Sequence, residues 1–201
     1  MKEPFLKFVE NELAGSGFLL IACGLPASWK TETTEEVARI TGHPILRTDL
    51  IRLEVLKNED IFDEKVASNM DKRTLVYDET FHRSDEYLER GDGVILDATF
   101  ITQSLRRRAA AIAAKHNLRF VILQTTCPQE VSIARILRRT REDYESNALT
   151  EQAYLNNKKK FEEVDLDDLK SLYPDLSITH LIVDTRYDPP EDCYVTAMAK
   201  K

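Results

Sequence analysis

The sequence is poor in the features that build disulfide scaffolds and membrane spans. It contains three cysteines in 201 residues, and they are far apart: Cys23, Cys127 and Cys193. An odd number of scattered cysteines favours a reducing compartment over a disulfide framework or a zinc site. No uninterrupted apolar run exceeds six residues, as in Phe18–Cys23, whereas a membrane span needs about 20. Residues 1–5 lack the apolar core of a signal peptide, so we expect a cytoplasmic protein that does not contact membranes.

The sequence also has fewer basic than acidic residues. Lys and Arg total 28 against 35 Asp and Glu, which gives a net charge of −7. A chain with this balance does not coat duplex nucleic acid through bulk charge, so any anionic partner must be held by a local patch. We therefore expect no long nucleic acid as a partner. Hydrophobic residues make up 42% of the chain, which is enough for a packed core, and no linker divides it. The sequence predicts a single domain over residues 1–201 and specifies no oligomeric state.

Short apolar runs alternate with helical patterns along the chain. Continuous apolar runs are typical of parallel strands covered on both faces, and they fall at residues 18–23, 45–46, 94–96, 120–123 and 181–183. Helical spacing, capping and stop signals lie between them and predict helices over about 30–40, 77–88, 105–116, 129–141 and 150–161, with short helices in 50–76. The alternation of strand and helix predicts a doubly wound α/β fold.

The most specific motif follows the first predicted strand, at Gly24–Thr31. It matches the phosphate-loop pattern G-x-x-x-x-G-K-[ST] at its first Gly, its Lys and its Thr. Such a loop binds phosphates with backbone N–H groups and a helix N-terminus, while the Lys reaches the β- and γ-phosphates and the Thr hydroxyl binds Mg²⁺. Trp29 replaces the second Gly, and Ala27 stands where many such loops have another. The alternative interpretation is an ordinary strand-turn-helix with a surface lysine.

Aspartates follow three of the five predicted strands, at Asp49, Asp97 and Asp184. Open α/β sheets place their sites at the carboxyl ends of strands, although one such Asp is often only a turn or cap residue. Two of them beside a phosphate loop suit phosphoryl transfer, one taking a proton from a hydroxyl and the other holding substrate or metal-bound water. Arg52 lies three residues after Asp49, so it either grips a substrate beside that base or forms a local ion pair.

Two clusters of arginine offer positive charge for phosphate. The first comprises Arg135, Arg138, Arg139 and Arg141 on a predicted helix, and Arg is the side chain suited to bidentate phosphate contact. The second is Arg106–Arg108 at the start of another helix, where Arg106 is a candidate contact for a substrate phosphate. For each cluster the alternative is a solvated helix face.

Together these motifs resemble the P-loop kinases related to phage polynucleotide kinase and the zeta toxins. The resemblance covers about residues 17–185. It rests on the phosphate loop, on Thr48-Asp49-Leu50-Ile51-Arg52, on Gly93-Val94-Ile95-Leu96-Asp97-Ala98-Thr99-Phe100, on Cys127-Pro128 and on the arginines at 135–141. It implies a five-stranded parallel sheet in the order 2-3-1-4-5, with helices on both faces and an Arg-rich lid over about 129–160.

The resemblance also implies roles for individual residues. ATP and Mg²⁺ would be the cofactors. Nucleotide would be bound by Gly24, Ala27, Ser28, Trp29, Lys30, Thr31, Arg135 and Arg139. Lys30, Asp49 and Arg139 would be catalytic, with Asp49 as the general base, and Arg138 or Arg141 would be further lid candidates. Arg52 would grip the acceptor, and Thr31 and Asp97 would hold the metal or its water, with Asp97 also near substrate.

Two functions from different classes follow. The first is an ATP-dependent kinase that phosphorylates a hydroxyl of a small molecule or of a nucleic-acid 5′ end. The second is a degenerate P-loop protein that has lost nucleotide binding and works through a partner. Trp29 favours the second function. Lys30, Thr31, Asp49 and the lid arginines favour the first, because a scaffold has no physical need for them together.

Overall fold

The structure is a computed structural model that describes residues 2–67, 69–138, 149–187 and 190–201. Its strands are β1 (Glu3–Pro4), β2 (Phe18–Cys23), β3 (Ile45–Arg47), β4 (Gly93–Asp97), β5 (Arg119–Thr126), β6 (Ile178–Asp184) and β7 (Tyr194–Lys200). Its helices are α1 (Phe5–Glu12), α2 (Lys30–Thr41), α3 (Thr48–Val55), α4 (Glu64–Ala67), α5 (Met70–Leu88), α6 (Gln103–Lys115), α7 (Gln129–Leu137), α8 (Glu151–Lys160) and α9 (Leu166–Leu172), and a 3-10 turn spans Pro190–Asp192.

The strands form one seven-stranded sheet in the order β1-β7-β6-β5-β2-β4-β3. The segment from β6 to β3 is parallel, whereas β7 runs antiparallel to β6 and β1 antiparallel to β7. The expected five-stranded, all-parallel sheet is therefore wrong for the sheet as a whole, because two antiparallel strands extend one edge. Five of the seven β7 residues are exposed, so β7 lacks the continuous apolar run that marks a strand buried on both faces.

Two apolar layers enclose the sheet, because successive side chains of a strand point to opposite faces. In β2, Leu19 and Ile21 join a cluster with residues of α3, α5, α6 and α9. Phe18 and Leu20 face the other way and pack with residues of α1 and α2. All six β2 residues are buried. This places β2, and the loop that follows it, at the centre of the molecule.

The helical signals in the sequence agree well with the helices that form. Gly42 ends α2 in the left-handed conformation, with φ of 78°, and the Thr150 side chain caps α8 by accepting from the Ala153 N–H at 3.1 Å. The segment 50–76 differs in part from the expected short helices, since it contains most of α3, all of α4 and the first turns of the long helix α5. The helix expected over 129–141 is described only as far as the end of α7. No helix in the described part of the chain has the length and apolarity needed to cross a bilayer.

Candidate functional site

The phosphate-loop segment turns between β2 and α2 with positive φ angles at Gly24, Ala27 and Trp29. Trp29 is the N-cap of α2 and lies in the left-handed region, with φ of 60° and ψ of 39°. This conformation costs a residue other than glycine roughly 1–2 kcal/mol. The chain therefore keeps a backbone path that glycine adopts freely, although a tryptophan stands at that position.

Gly24 has no room for a side chain. A Cβ there would lie 2.6 Å from Thr125 Oγ1, 2.8 Å from Thr125 O and 2.9 Å from Ser28 Oγ. The loop also shares a hydrogen bond with β5, since Ser28 Oγ and Thr125 Oγ1 are 2.6 Å apart. The first glycine of the motif is thus fixed by close packing between the loop and β5.

Lys30 and Thr31 open α2, where the first backbone N–H groups have no acceptor within the helix. Lys30 Nζ donates to the Leu25 carbonyl oxygen across the loop at 2.8 Å. Thr31 Oγ1 donates to Asp97 Oδ2 at 2.6 Å. An ammonium, a hydroxyl and a helix N-terminus therefore meet at one turn, an arrangement suited to a phosphate group.

Asp97 ends β4, which lies beside β2 in the sheet and so brings this carboxyl to the loop. The side chain is buried, and burial raises its pKa from 3.8 to about 6, against the lowering effects of the Thr31 hydrogen bond and the Lys30 charge. The negative charge of Asp49 adds to the increase. The buried carboxyl is thus surrounded by the predicted site residues.

Asp49 and Arg52 follow β3, which pairs with β4. They therefore lie at the same carboxyl end of the sheet as Asp97. Asp49 lies in the first turn of α3, and Thr48 Oγ1 donates to the Asp97 carbonyl oxygen at 3.2 Å. Arg52 Nη1 donates to Asp49 Oδ1 at 2.7 Å. The Arg52 side chain is mostly buried, whereas Asp49 is 32% exposed, so a carboxylate open to solvent is oriented by a largely enclosed cation.

Arg47 belongs to this cluster, and no motif in the sequence indicated it. Its Nε lies 3.8 Å from Asp97 Oδ2, and the two residues are partners in the β3–β4 register. Its Nη1 is 4.0 Å from Glu35 Oε1 on α2. Because the register of parallel strands is not visible in a single sequence, no local pattern could have found it.

The lid arginines are only partly described. Arg139 and Arg141 lie outside the described residues, as does the rest of 139–148, and Arg138 is exposed at the end of α7. Arg135 Nη2 donates to the Thr185 carbonyl oxygen at 2.7 Å. Its Nη1 lies 3.3 Å from the Ala27 carbonyl oxygen. These bonds tie Arg135 to the backbone of the loop at Ala27 and to the segment after β6 at Thr185.

The structure does not bring Arg106 to this cluster. The side chain is fully buried, and its donors bond to acceptors within the fold: Phe100 O, Gln103 Oε1, Glu162 O, Glu163 O and Cys23 Sγ. Arg106 therefore links the segment after α8 to the segment after β4. The expectation that Arg106 binds substrate is wrong in this structure, because the guanidinium is enclosed and its bonds are made to the protein.

Asp184 also stays apart from the cluster. It ends β6, which β5 separates from β2, and its Oδ2 pairs with Arg186 Nε at 2.8 Å. Of the three aspartates that follow strands, only Asp49 and Asp97 lie by the loop.

The described residues contain no group of three or more His, Cys, Asp or Glu side chains that could hold a metal ion. Mg²⁺ does not need such a group, since it commonly takes one or two protein oxygens and completes its shell with phosphate oxygens and water. The Thr31 hydroxyl and the Asp97 carboxylate, 2.6 Å apart, supply two such oxygens at the loop. These residues therefore fit Mg²⁺ bound together with a phosphate.

Replacing Asp97 with Asn should change how stability depends on pH. A carboxyl whose pKa is raised by folding, here to about 6, favours the fold only while protonated. That contribution is complete below the unfolded pKa of about 4 and is lost as the pH rises through about 6. From pH 4 to pH 7, the free energy of unfolding of the wild type should fall relative to D97N by on the order of 1–3 kcal/mol, measured by urea unfolding. A difference independent of pH would contradict this, and the exposed D175N serves as control.

Replacing Arg106 with Met should destabilise the fold. The substitution keeps an unbranched side chain but removes every donor, which leaves the buried carbonyl of Phe100 and the carbonyls of Glu162 and Glu163 without this partner. We expect a loss of about 2–4 kcal/mol in the free energy of unfolding, measured by urea denaturation. The exposed Arg90→Met should cost less than about 0.5 kcal/mol. An R106M variant as stable as the wild type would show that these bonds do not matter.

Comparison with known proteins supports a kinase-like fold. A gluconokinase from Sinorhizobium meliloti 1021 has a TM-score of 0.60 and 17% identity, covering 87% of this chain and 85% of that one. A sugar kinase from Janibacter sp. HTCC2649 has a TM-score of 0.63 and 18% identity, covering 87% and 88%. A structure of the PezAT chromosomal toxin-antitoxin system of Streptococcus pneumoniae has a TM-score of 0.56 and 11% identity, covering 98% and 82%.

At these identities the likeness shows the fold alone, an α/β fold like that of the P-loop kinases. No curated protein matches the chain. The narrower grouping with polynucleotide kinase and the zeta toxins stays a prediction. A family model described as an AAA domain matches residues 19–164, well over half of the sequence. The chain therefore belongs to the AAA domain family, with a P-loop kinase-like fold.

Proposed function

We propose that the protein is an ATP-dependent kinase that transfers the γ-phosphoryl group to a hydroxyl of a small molecule or of a nucleic-acid 5′ end. The observation that carries the proposal is that two pairs of side chains meet at the carboxyl ends of the parallel strands. Lys30 and Thr31 face Asp97 at the loop, and Asp49 and Arg52 stand beside them on α3. One pair suits phosphate binding and the other suits activation of an acceptor.

Lys30 is the residue that would exchange partners when nucleotide binds. Its ammonium donates to a neutral carbonyl oxygen, that of Leu25, at 2.8 Å. A β- or γ-phosphate offers a charged acceptor, so the ammonium gains a Coulomb attraction that the neutral Leu25 carbonyl does not provide. Phosphate therefore competes well for the ammonium. The backbone N–H groups at the start of α2 add donors that are fixed before binding.

Asp49 would act as the general base. Its carboxylate is partly open to solvent, and the hydrogen bond from Arg52 holds one of its oxygens. It would take the proton from the acceptor hydroxyl while the hydroxyl oxygen attacks the γ-phosphorus and ADP departs. Arg52 would orient Asp49 and contact the acceptor. Mg²⁺ held at Thr31 and Asp97 would neutralise the charge on the phosphates.

The acceptor is best sought among small hydroxyl compounds. The net charge of −7 disfavours long polynucleotides, which leaves small molecules and short nucleic-acid ends. The solved structures of similar fold include a gluconokinase and a sugar kinase, so this fold accommodates small acceptors.

A second candidate function is that of a scaffold that binds no nucleotide and works through a partner. Trp29 is the observation that favours it, since an indole stands where glycine normally lets phosphate approach. The left-handed conformation of Trp29 favours the kinase instead, because it preserves the backbone path of the loop.

Two variants separate nucleotide binding from chemistry. Mg·ATP at 100 times its Kd should stabilise the wild type by about 2.7 kcal/mol, read as a rise in Tm. Lys30→Ala should abolish this rise because the loop loses its cation. Asp49→Asn should keep the rise but lose phosphoryl transfer by about 10²–10⁴-fold against a panel of polyols, sugars and nucleosides.

The matched controls are Lys7→Ala and Asp175→Asn, which alter exposed residues of the same type. Both should behave as the wild type. No rise in Tm for the wild type at millimolar Mg·ATP would favour the scaffold. Unchanged transfer in D49N would remove Asp49 from the role of base.

A further inference from the structure

The phosphate loop and α7 are joined by a stacked pair of side chains. The Arg135 guanidinium carbon lies 4.8 Å from the centroid of the Trp29 ring, within the range of a cation–π contact. We infer that Arg135 is a positioning residue that acts through Trp29 and holds the loop in the conformation that glycine would otherwise adopt. The effect on nucleotide binding rests on the proposed function, whereas the stacking itself does not.

The loop needs such a support because two of its residues are strained. Ala27 has φ of 58° and Trp29 has φ of 60°, and neither is glycine. Residues held in sparsely populated regions persist only where the surrounding structure over-determines them. A contact made through the indole itself is the direct way for a tryptophan to offset the cost of its own backbone conformation.

Arg135 is placed to supply this support from two directions. Its guanidinium lies over the indole, and its Nη1 also donates to the Ala27 carbonyl oxygen at 3.3 Å. Both strained residues are therefore contacted by one side chain. Its Nη2 donates to the Thr185 carbonyl oxygen at 2.7 Å, which anchors the guanidinium to the segment after β6.

Further contacts hold the loop around Ala27 and Ser28. Thr185 Oγ1 donates to the Ser28 carbonyl oxygen at 3.0 Å. Ala27 packs in a small apolar cluster with Ile136 of α7 and Tyr154 of α8. Ile136, which follows Arg135, thus packs against the loop as well, so α7 contacts the loop through two successive residues.

This geometry distinguishes two roles for Arg135. A lid arginine aims its donors at the phosphates, and its removal weakens nucleotide binding whatever residue occupies position 29. A positioning arginine acts mainly on Trp29, so its removal should cost more while the indole is present. The bonds from Arg135 to the carbonyls of Ala27 and Thr185 favour the second role.

A double-mutant cycle tests the inference. Arg135→Gln should weaken binding of Mg·ADP by about five- to tenfold in the Trp29 protein and by less than about twofold in a Trp29→Gly background, measured by titration calorimetry. Arg135→Lys should fall between the wild type and Arg135→Gln, since a lysine ammonium keeps a cation–π contact but loses the planar fork that bonds the two carbonyls. Trp29→Asn, which also tolerates the left-handed region, provides a second background. An equal loss in the presence and absence of the indole would overturn the inference and make Arg135 a direct phosphate contact.

Two further readouts do not depend on nucleotide. The chain has one tryptophan, so its emission reports on Trp29 alone. Arg135→Gln should shift that emission, while Arg138→Gln, at the exposed residue that follows α7, should leave it unchanged. Arg135→Gln should also lower the urea midpoint more in the Trp29 protein than in the Trp29→Gly background. If both occur and no variant binds Mg·ADP, the stacking stands and the kinase proposal fails. Unchanged emission, or equal midpoint losses in the two backgrounds, overturns the inference.

Discussion

The left-handed backbone conformation of Trp29 is the constraint on which the candidate site depends. It turns the chain at the end of β2 so that α2 begins at Lys30 with its N-terminus facing the loop. A bulky residue does not choose this conformation by itself, so the surrounding contacts must hold it there. The contacts around the loop therefore determine its conformation, and the function that we propose requires this strained backbone.

The order of strands decides which side chains share the site. Because β4 lies between β2 and β3, the carboxyl ends of these strands bring Thr31, Asp97 and Asp49 together. Burying Asp97 is unfavourable for its ionised form, and the Thr31 hydrogen bond and the Lys30 charge only partly offset that cost. A cation arriving with phosphate would offset more of it, so the site is electrostatically suited to what it is proposed to bind.

Much of this arrangement could be predicted from local patterns. The continuous apolar run of β2 and the Gly, Lys and Thr of the loop indicated a phosphate loop between a buried parallel strand and a helix, and a strand and a helix do flank the loop as predicted. The edge strands β1 and β7 were missed, since neither carries such a run. The predictions failed where long-range contacts decide the outcome. Arg106 carries the same charge as a phosphate-binding arginine, but its burial beneath the segment after α8 is invisible in sequence. Arg47 joined the site through strand register, which no spacing reveals.

The most direct measurement of the central claim is a titration of the native protein with a non-hydrolysable Mg·ATP analogue, followed through the emission of Trp29. The indole belongs to the loop, so phosphate bound there must change its surroundings. We expect a saturable change with a stoichiometry of about one and a Kd below about 1 mM, as is usual for enzyme substrates. Emission that stays constant up to about 10 mM analogue, roughly ten times the upper end of that range, would contradict the account and leave a fold without a nucleotide site at this loop.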